Sequence, residues 1–373
     1  MSSPASTRRQ FLKAVVLGAG AVSVPGLLSA CGASPTTPTS GDSAAMPDDI
    51  NAKWPEITST EVVLSGFGGE TYQTRHSLVF NPFTELSGAR VIDAPWDYGK
   101  FLTMVEASSP EWDMIDFDGY STVGLIQGGT APAKLADWVR RCDLVDTEFQ
   151  DYAAGGYAYS VVMGWSNKLD GAPKTWADFF DTRRFPGKRA FPKSIYAGTA
   201  EIALVADGVS KDNLYPLDLD RAFAKLDELK GDMVFYDSYA QGQQFLVQGS
   251  ASMIATANSR MIQLRNSEQG DFTYADAVLY PWSCFPMPVN ARHADAANAL
   301  IDFMSHPQVQ AIVARELYLG PTVSATFDLL TEDELALQPN SEQNVAQAAV
   351  VDTAKAARQD ADYVERFFSW VGQ

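Results

Sequence analysis

The chain has 373 residues, 46% of them hydrophobic and 11% aromatic, and carries 28 Lys and Arg against 46 Asp and Glu for a formal net charge of −18. That excess of anions excludes nucleic-acid binding by counterion release; it speaks to solubility and to repulsion from anionic surfaces, not to the identity of a ligand. The roughly 325 residues left after an N-terminal leader and its tether are too many for one typical core and comfortable for two.

Residues 6–13 read S-T-R-R-Q-F-L-K. Arg8 and Arg9 make a basic n-region, residues 14–27 an uncharged apolar stretch, and Leu28-Ser29-Ala30-Cys31 resembles a bacterial lipobox. The twin arginine resembles the signal for export of folded proteins. A membrane-spanning helix needs about 20 apolar residues, and this run is shorter and interrupted by Pro25. The expectation is a signal over residues 1–30, cleaved before Cys31, whose new N-terminus carries acyl chains. Each buried methylene contributes about 0.8 kcal/mol, so two or more chains anchor far better than one. Residues 31–55, rich in Ser, Thr, Pro and Gly in their first part, are then the lipidated cysteine and a flexible tether. No later segment has the length and apolarity to span. The expected location is the cell envelope, periplasmic or on the outer face of the cytoplasmic membrane, with a lipid as the only anchor.

Strand-like and helical patterns alternate along the remainder, which argues for α/β layers. Residues 61–65 form a short β run, followed by Gly66-Phe67-Gly68-Gly69 and a helix over 70–85. A second strand over 90–94 precedes a helix at 99–107, and a third over 113–117 precedes a helix opened by Asp118-Gly119-Tyr120. Residues 159–165 have β character, and Thr175-Trp176-Ala177-Asp178 starts a helix like a capping box. A strand at 189–192 and a helix at 198–206 follow. Leu219, Ala222, Phe223, Leu226 and Leu229 make an apolar helical stripe. Strands at 233–236 and 252–257 each lead into a helix. Residues 278–289, with Pro281, Pro286 and Pro288, read as an extended crossing rather than a regular strand. Helices at 295–304, 308–317 and 355–370 complete the chain. Two crossings bracket a middle block, so the expected organisation is a first domain over 56–158, a second over 159–282, and a return to the first over 283–373.

No H-E-x-x-H, G-x-S-x-G or phosphate-cradling G-x-x-x-x-G-K occurs in the chain. The three histidines, His76, His293 and His306, are dispersed and read as surface or helix-end residues, so neither a metal nor another cofactor is expected. Cys142 and Cys284 are far apart and read as buried thiols rather than a bridge. What remains is a set of polar and aromatic residues at strand ends, where open α/β sheets place ligands. Phe67, Glu70, Trp96, Asp116, Asp118 and Tyr120 come from the first part. Ser194, Tyr196, Thr199, Tyr239, Asn258 and Arg260 come from the middle block, with Trp165 and Trp282 on the crossings. For any single aromatic, core burial is the commoner role, and a carboxylate such as Asp116 is more often a cap or an ion-pair partner. Their collective placement is what points to a cleft.

Trp176-Ala177-Asp178-Phe179-Phe180 and Arg184-Phe185-Pro186-Gly187-Lys188-Arg189 resemble the W-A-D…F-P-G-K block of the spermidine/putrescine-type solute-binding proteins of bacterial ABC transporters. The resemblance continues through E-I-A-L-V-A-D-G-V at 201–209, residues 214–229, the A-N-S-R at 257–260, and 291–322 with its P-Q-V-Q-A and late G-P-T. It implies a type II periplasmic-binding-protein fold: two α/β domains, two hinge crossings, and a cleft that closes on a ligand. Closure of that kind is a population shift driven by contacts the ligand makes with both domains only in the closed form. A membrane permease with its cytoplasmic ATPase would recognise the closed form. A monomer is expected, and no bond is made or broken.

Polyamine binders of this family hold the ammonium ends with carboxylates, including an acidic pair in the second domain. Residues 191–198 and 281–284 carry no acid here, which disfavours a long diamine. The two faces are instead unequal, with Glu70, Asp97, Asp116 and Asp118 on one side and Lys193 and Arg260 on the other. The expected ligand is a small amine-containing solute: a polyamine, as the resemblance implies, or a zwitterion such as an amino acid or 4-aminobutyrate, which the unequal faces favour. Its ammonium would meet Asp118, Tyr120 and the face of Phe67 or Trp96, and its carboxylate Arg260 and the helix start near Thr199. Arg260 pinning its own loop is the plainer role. Two other functions stay open: a ligand-sensing lipoprotein for a membrane receptor, and a secreted enzyme with Cys284 as nucleophile. A ferric-ion binder would want adjacent tyrosines, whereas Tyr157/Tyr159 and Tyr236/Tyr239 are spaced.

Overall fold

The computed structural model describes residues 46–47, 49–194 and 197–372. The expected leader, Cys31, Tyr196 and the Glu70 side chain lie outside the described residues. Ile50 is only 1% exposed, and the Trp54 indole N–H donates to the Asp302 carboxylate at 2.8 Å. Two residues of the tether expected as far as 55, Ile50 and Trp54, are therefore fastened to the folded body, while Ala52, Lys53 and Pro55 are exposed.

The first layer is a parallel sheet ordered β2–β1–β3, from β1 (Glu61–Gly66), β2 (Arg90–Pro95) and β3 (Met114–Ile115). Between β1 and β2 the chain makes one helical run: Gly69–Arg75, a wide π turn His76–Phe80, then Asn81–Ser87. The wide turn stands directly before Pro82, which has no N–H to return to the preceding turn. The third strand, expected as one piece over 113–117, is interrupted at Asp116 and resumes as β4 (Phe117–Asp118). Asp116 turns its side chain into the protein, as described below.

The second layer is a six-stranded mixed sheet. Its strands are β5 (Tyr159–Ser166), β6 (Arg189–Pro192), β7 (Met233–Tyr236), β8 (Met253–Ala257) and β9 (Gly270–Tyr280), with the short β10 (Ser283–Cys284) pairing antiparallel to β4 outside it and β11 (Ala349–Val350) at its edge. The order is β11–β9–β5–β8–β6–β7. All eight residues of β5 are buried, as a central strand covered on both faces requires. β9 corrects one expectation. Residues 278–280 are the end of the longest strand, paired with β5 through Tyr159↔Tyr280, and the chain leaves the sheet only at Pro281.

Two apolar cores follow the two layers. One gathers Val62, Leu64, Phe80, Phe83, Leu300 and Phe303 around the first sheet. The other gathers Trp176, Phe179, Phe191, Ile202 and Leu226 on the second. The stripe Leu219, Ala222, Phe223, Leu226 and Leu229 is buried as its spacing required, and Thr175 and Asp178 form the reciprocal capping box. Arg189, fully buried, donates to the carbonyls of Phe179 and Phe185 at 2.6 Å and also to that of Gly187. This gives the F-P-G-K-R stretch a physical role: the guanidinium closes the loop that brings residues 179–187 back to β6.

The end of the chain departs from the expected return to the first layer. β11 pairs with β9, and Tyr363, Phe367 and Trp370 of the Thr353–Val371 helix enter the second core. The same helix packs along the Gly119–Gln127 helix. Cys142 and Cys284 are buried and unbridged. No helix among the described residues is long and apolar enough to cross a membrane.

Candidate functional site

β1, β2 and β3 run parallel, so the loops after them emerge at one edge of the first sheet, where open α/β sheets place ligands. Phe67 follows β1 and Trp96 follows β2. Their rings stack at 5.0 Å between centroids with 20° between planes, and Phe67 is 55% exposed. The Trp96 indole N–H donates to the Asp116 carbonyl at 2.9 Å, which fixes the pair to the loop after β3. An exposed aromatic face held in this way can receive a cation.

The Asp116 side chain is otherwise engaged. It is buried, pairs with the Arg75 guanidinium at 3.1 Å, and accepts from the hydroxyls of Tyr72 and Tyr157, each at 3.0 Å. Arg75 also lies over the rings of Tyr72, Tyr157 and Phe285. This closed cluster shapes the edge of the site, and the ion-pair role is the one Asp116 fills.

Asp118 is different. It is 9% exposed and stands at the N-cap of the Gly119–Gln127 helix without capping it. Its carboxylate accepts from the Tyr159 hydroxyl at 2.7 Å, and it makes no ion pair among the described residues. Burial pushes the carboxyl up to about 7; the Tyr159 hydrogen bond opposes the shift, and the charges of Asp116 and Asp360 add to it. Backbone fit explains how this carboxylate is brought forward. A Cβ at Gly119 would stand 2.6 Å from the Trp282 ring and 2.7 Å from its carbonyl oxygen, so only glycine lets the helix begin against Trp282.

Behind Asp118 is a wall of tyrosines. Tyr159 and Tyr280 are cross-strand partners, stacked at 4.6 Å with 4° between planes, and Tyr120 stands 6.2 Å from Tyr280. The Tyr280 hydroxyl accepts the Gly198 N–H at 2.9 Å. Gly198 has φ +61, and a Cβ there would meet Val278 at 2.8 Å, so it permits the left-handed entry into the Thr199–Ala206 helix. On the far side, Tyr239 opens the helix after β7 and Arg260 lies in the first turn of the helix after β8. The Arg260 guanidinium sits over the Tyr239 ring at 5.1 Å. Desolvation raises the Tyr239 phenol, Arg260 lowers it, and Asp118 raises it again. One ring thus lies within the fields of a cation and an anion.

The structure brings together Phe67 with Trp96, Tyr120 with Tyr280 behind Asp118, and Arg260 with Tyr239, a ring that the charge of Asp118 also reaches. It does not bring in Trp165, which is buried in the second core at the end of β5 remote from Tyr159. Trp282 is 1% exposed and its indole N–H donates to Asp146 at 3.3 Å, which makes it the floor under Gly119 rather than a cleft wall. Asn258 is fully buried; it accepts the Ser160 N–H at 3.1 Å and donates to the Tyr318 carbonyl at 2.8 Å. Thr199 is buried at its helix start, and Ser194 is half-buried after β6. Cys284 is fully buried against Thr122, and burial raises its thiol far above the ordinary range, which disfavours the thiolate form. No group of three metal-ligating side chains occurs among the described residues.

Sequence reasoning missed Tyr159, Tyr280 and Arg75. Tyr159 opens a β run and Tyr280 closes one, and their common position at one sheet edge follows only from antiparallel pairing. Arg75 stands on a helix with nothing in its neighbourhood to mark it.

The two-layer α/β fold, with loops from both sheets converging on buried carboxylate, tyrosines and guanidinium, defines a binding protein of the type II periplasmic class. The chain belongs to the bacterial extracellular solute-binding protein family, whose profile matches residues 80–340. It is 28% identical over 330 residues to a gamma-aminobutyric acid-binding protein of Pseudomonas aeruginosa, covering 85% of this chain and 93% of that one. Among solved structures it is similar to the Atu4243-GABA receptor, with 32% identity, TM-score 0.74, and 83% and 97% of the two chains covered. It is also similar to the binding protein MotA of A. tumefaciens B6 in complex with glucopine, with 26% identity, TM-score 0.75, and 83% and 99% covered. This chain is therefore an extracellular solute-binding protein of the ABC-transporter type.

Proposed function

We propose that this protein captures a small zwitterion with separated charges, of the 4-aminobutyrate type, and delivers it to an ABC permease. The observation that carries the reading is the pairing of charges around Tyr239: a buried carboxylate without an ion-pair partner on one side and a guanidinium on the other. The ammonium would take the place of the missing cation at Asp118, flanked by Tyr120 and the Phe67–Trp96 stack. The carboxylate would take a charge-assisted hydrogen bond from Arg260. The names of two relatives, each a binder of gamma-aminobutyric acid, support the same class. A diamine is the weaker reading, because Asp116 is already neutralised by Arg75 and leaves Asp118 as the carboxylate for a single ammonium. In this reading the N-terminal leader exports the protein and Cys31 anchors it by lipid, with cleft closure as the signal to the permease.

Isothermal titration with 4-aminobutyrate, putrescine, spermidine, glutamate and a betaine tests it. The expected result is binding of 4-aminobutyrate, weakened well over tenfold by Asp118→Asn and by Arg260→Gln. Binding of diamines alone, indifferent to Arg260→Gln, would overturn the charge assignment. A permease and ATPase encoded beside the gene favour import; their absence favours a sensor for a membrane receptor.

A further inference from the structure

Beside Tyr280 there is a small cavity, with about 20 Å³ for the centre of a water-sized guest. That is room for one such guest. Tyr120, Glu201, Tyr280, Asp360 and Tyr363 line it. Three separate parts of the chain therefore meet there: the helix that begins after Asp118, the second sheet with the Thr199–Ala206 helix, and the C-terminal Thr353–Val371 helix.

Glu201 is 4% exposed. Its Oε1 accepts from the Tyr215 hydroxyl at 2.6 Å, while its Oε2 has no hydrogen-bond partner among the described residues. Asp360 brings a second, half-buried carboxylate to the same cavity. Neither makes an ion pair among the described residues. Burial raises both carboxyls, that of Asp360 to about 6, and no cation offsets the effect on either. An unpartnered buried carboxylate oxygen is costly, and a second carboxylate that makes no ion pair among the described residues lines the same small space. A cation in the cavity removes the cost at Glu201 and gives both carboxylates a counter-charge.

The donor set indicates which kind. Two carboxylates and tyrosine hydroxyls offer hard oxygens, and the aromatic rings offer faces that attract a cation. Divalent ions demand more: calcium takes six to eight oxygens and magnesium a near-octahedral shell, and no three-acid cluster exists among the described residues. We propose that the cavity between Glu201 and Asp360 is a site for one compact monovalent cation: ammonium, potassium or sodium. The Tyr363 hydroxyl already accepts the Ala200 N–H at 3.0 Å, so an ion held beside it further fastens the C-terminal helix to the second sheet. The cavity shares Tyr120 and Tyr280 with the wall behind Asp118, and the charge of Asp360 reaches Asp118, so stability is measured in the absence of the cleft ligand.

Thermal unfolding of the purified protein in ammonium, potassium or sodium chloride, against choline chloride at equal ionic strength, tests the proposal. At least one of the three salts should raise the midpoint by roughly 2–5 °C, and Glu201→Gln and Asp360→Asn should each abolish the rise. Equal midpoints in all four salts would mean that the cavity holds water alone, and overturn it. A rise that survives both substitutions would also overturn it, since the ion is then held elsewhere. Should Glu201→Gln fail to fold, Asp360→Asn on the partly exposed rim carries the same test.

Discussion

The hydroxyl of Tyr159 donates a 2.7 Å hydrogen bond to the carboxylate of Asp118, joining the central strand of the six-stranded sheet to the residue that precedes the Gly119–Gln127 helix. The bond stabilises the ionised carboxylate in a place where burial opposes ionisation. Tyr159→Phe removes it without opening a cavity. The expected outcome is a carboxyl that holds its proton to higher pH and an affinity for an ammonium-bearing ligand about tenfold weaker at neutral pH, measured by calorimetry. Recovery of most of that loss at pH 8.5 distinguishes a titration effect from a packing effect.

Asp118 also makes stability and binding respond to pH in opposite directions. In the folded protein its carboxyl sits at about 7, above the ordinary 3.8. Between those values the folded state holds a proton that the unfolded state has released. Its contribution to stability is therefore full below about pH 4 and is lost as pH rises through 7. Capture of an ammonium needs the carboxylate, so affinity should fall by up to about tenfold per unit as pH drops below 7. Unfolding and binding measured from pH 5.5 to 8.5 should show both trends, and Asp118→Asn should flatten both. An affinity that stays level across this range would exclude Asp118 as the ammonium acceptor.

Asp116→Asn should act on the fold. It leaves the buried Arg75 guanidinium without its anion, a loss worth about 3–5 kcal/mol where a buried pair is broken on one side, softened by the three rings that face Arg75. Urea unfolding should show the destabilisation. A variant of wild-type stability that has lost its ligand would instead return Asp116 to the binding residues.

Gly119→Ala introduces a methyl at 2.6 Å from the Trp282 ring. Trp282 is buried and its indole is bonded to Asp146, so the helix start must move. Destabilisation of about 1–3 kcal/mol is expected, together with a loss of affinity as Asp118 is displaced. Gly124→Ala, farther along the same helix, meets only an ordinary 4.0 Å contact with Ala357 and should leave affinity unchanged.

Much of the architecture was readable in local pattern. The strand patterns at 61–65 and 90–94, the helical stripe at 219–229 and the capping box at Thr175 depend on neighbours within a few residues, and the structure shows strands Glu61–Gly66 and Arg90–Pro95, the helix Leu219–Asp227 and the cap. The first half of β9 was not readable. Its residues 273–276 are half-buried in an unbroken run and include Asp276 at positive φ, so neither an apolar run nor a regular alternation announces a strand. The acidic first face and Arg260 were identified as residue types at strand ends, and Asp116 and Trp282 were placed with them on the same grounds.

Only the tertiary structure separated these roles. Asp116 and Asp118 are two residues apart and chemically identical, yet Arg75, 41 residues away from Asp116, takes the first, and Tyr159, 41 residues away from Asp118, takes the second. The chain alone determined that the protein is built of α/β layers, carries a strongly acidic surface and lacks the motifs of hydrolases and nucleotide binders, because composition and periodicity are properties of the sequence. Which carboxylate is neutralised and which is left without an ion pair among the described residues depends on what burial places beside each one. The energy of a buried charge is set by its nearest partners in space, and those partners are supplied by strand register and helix packing across long stretches of chain.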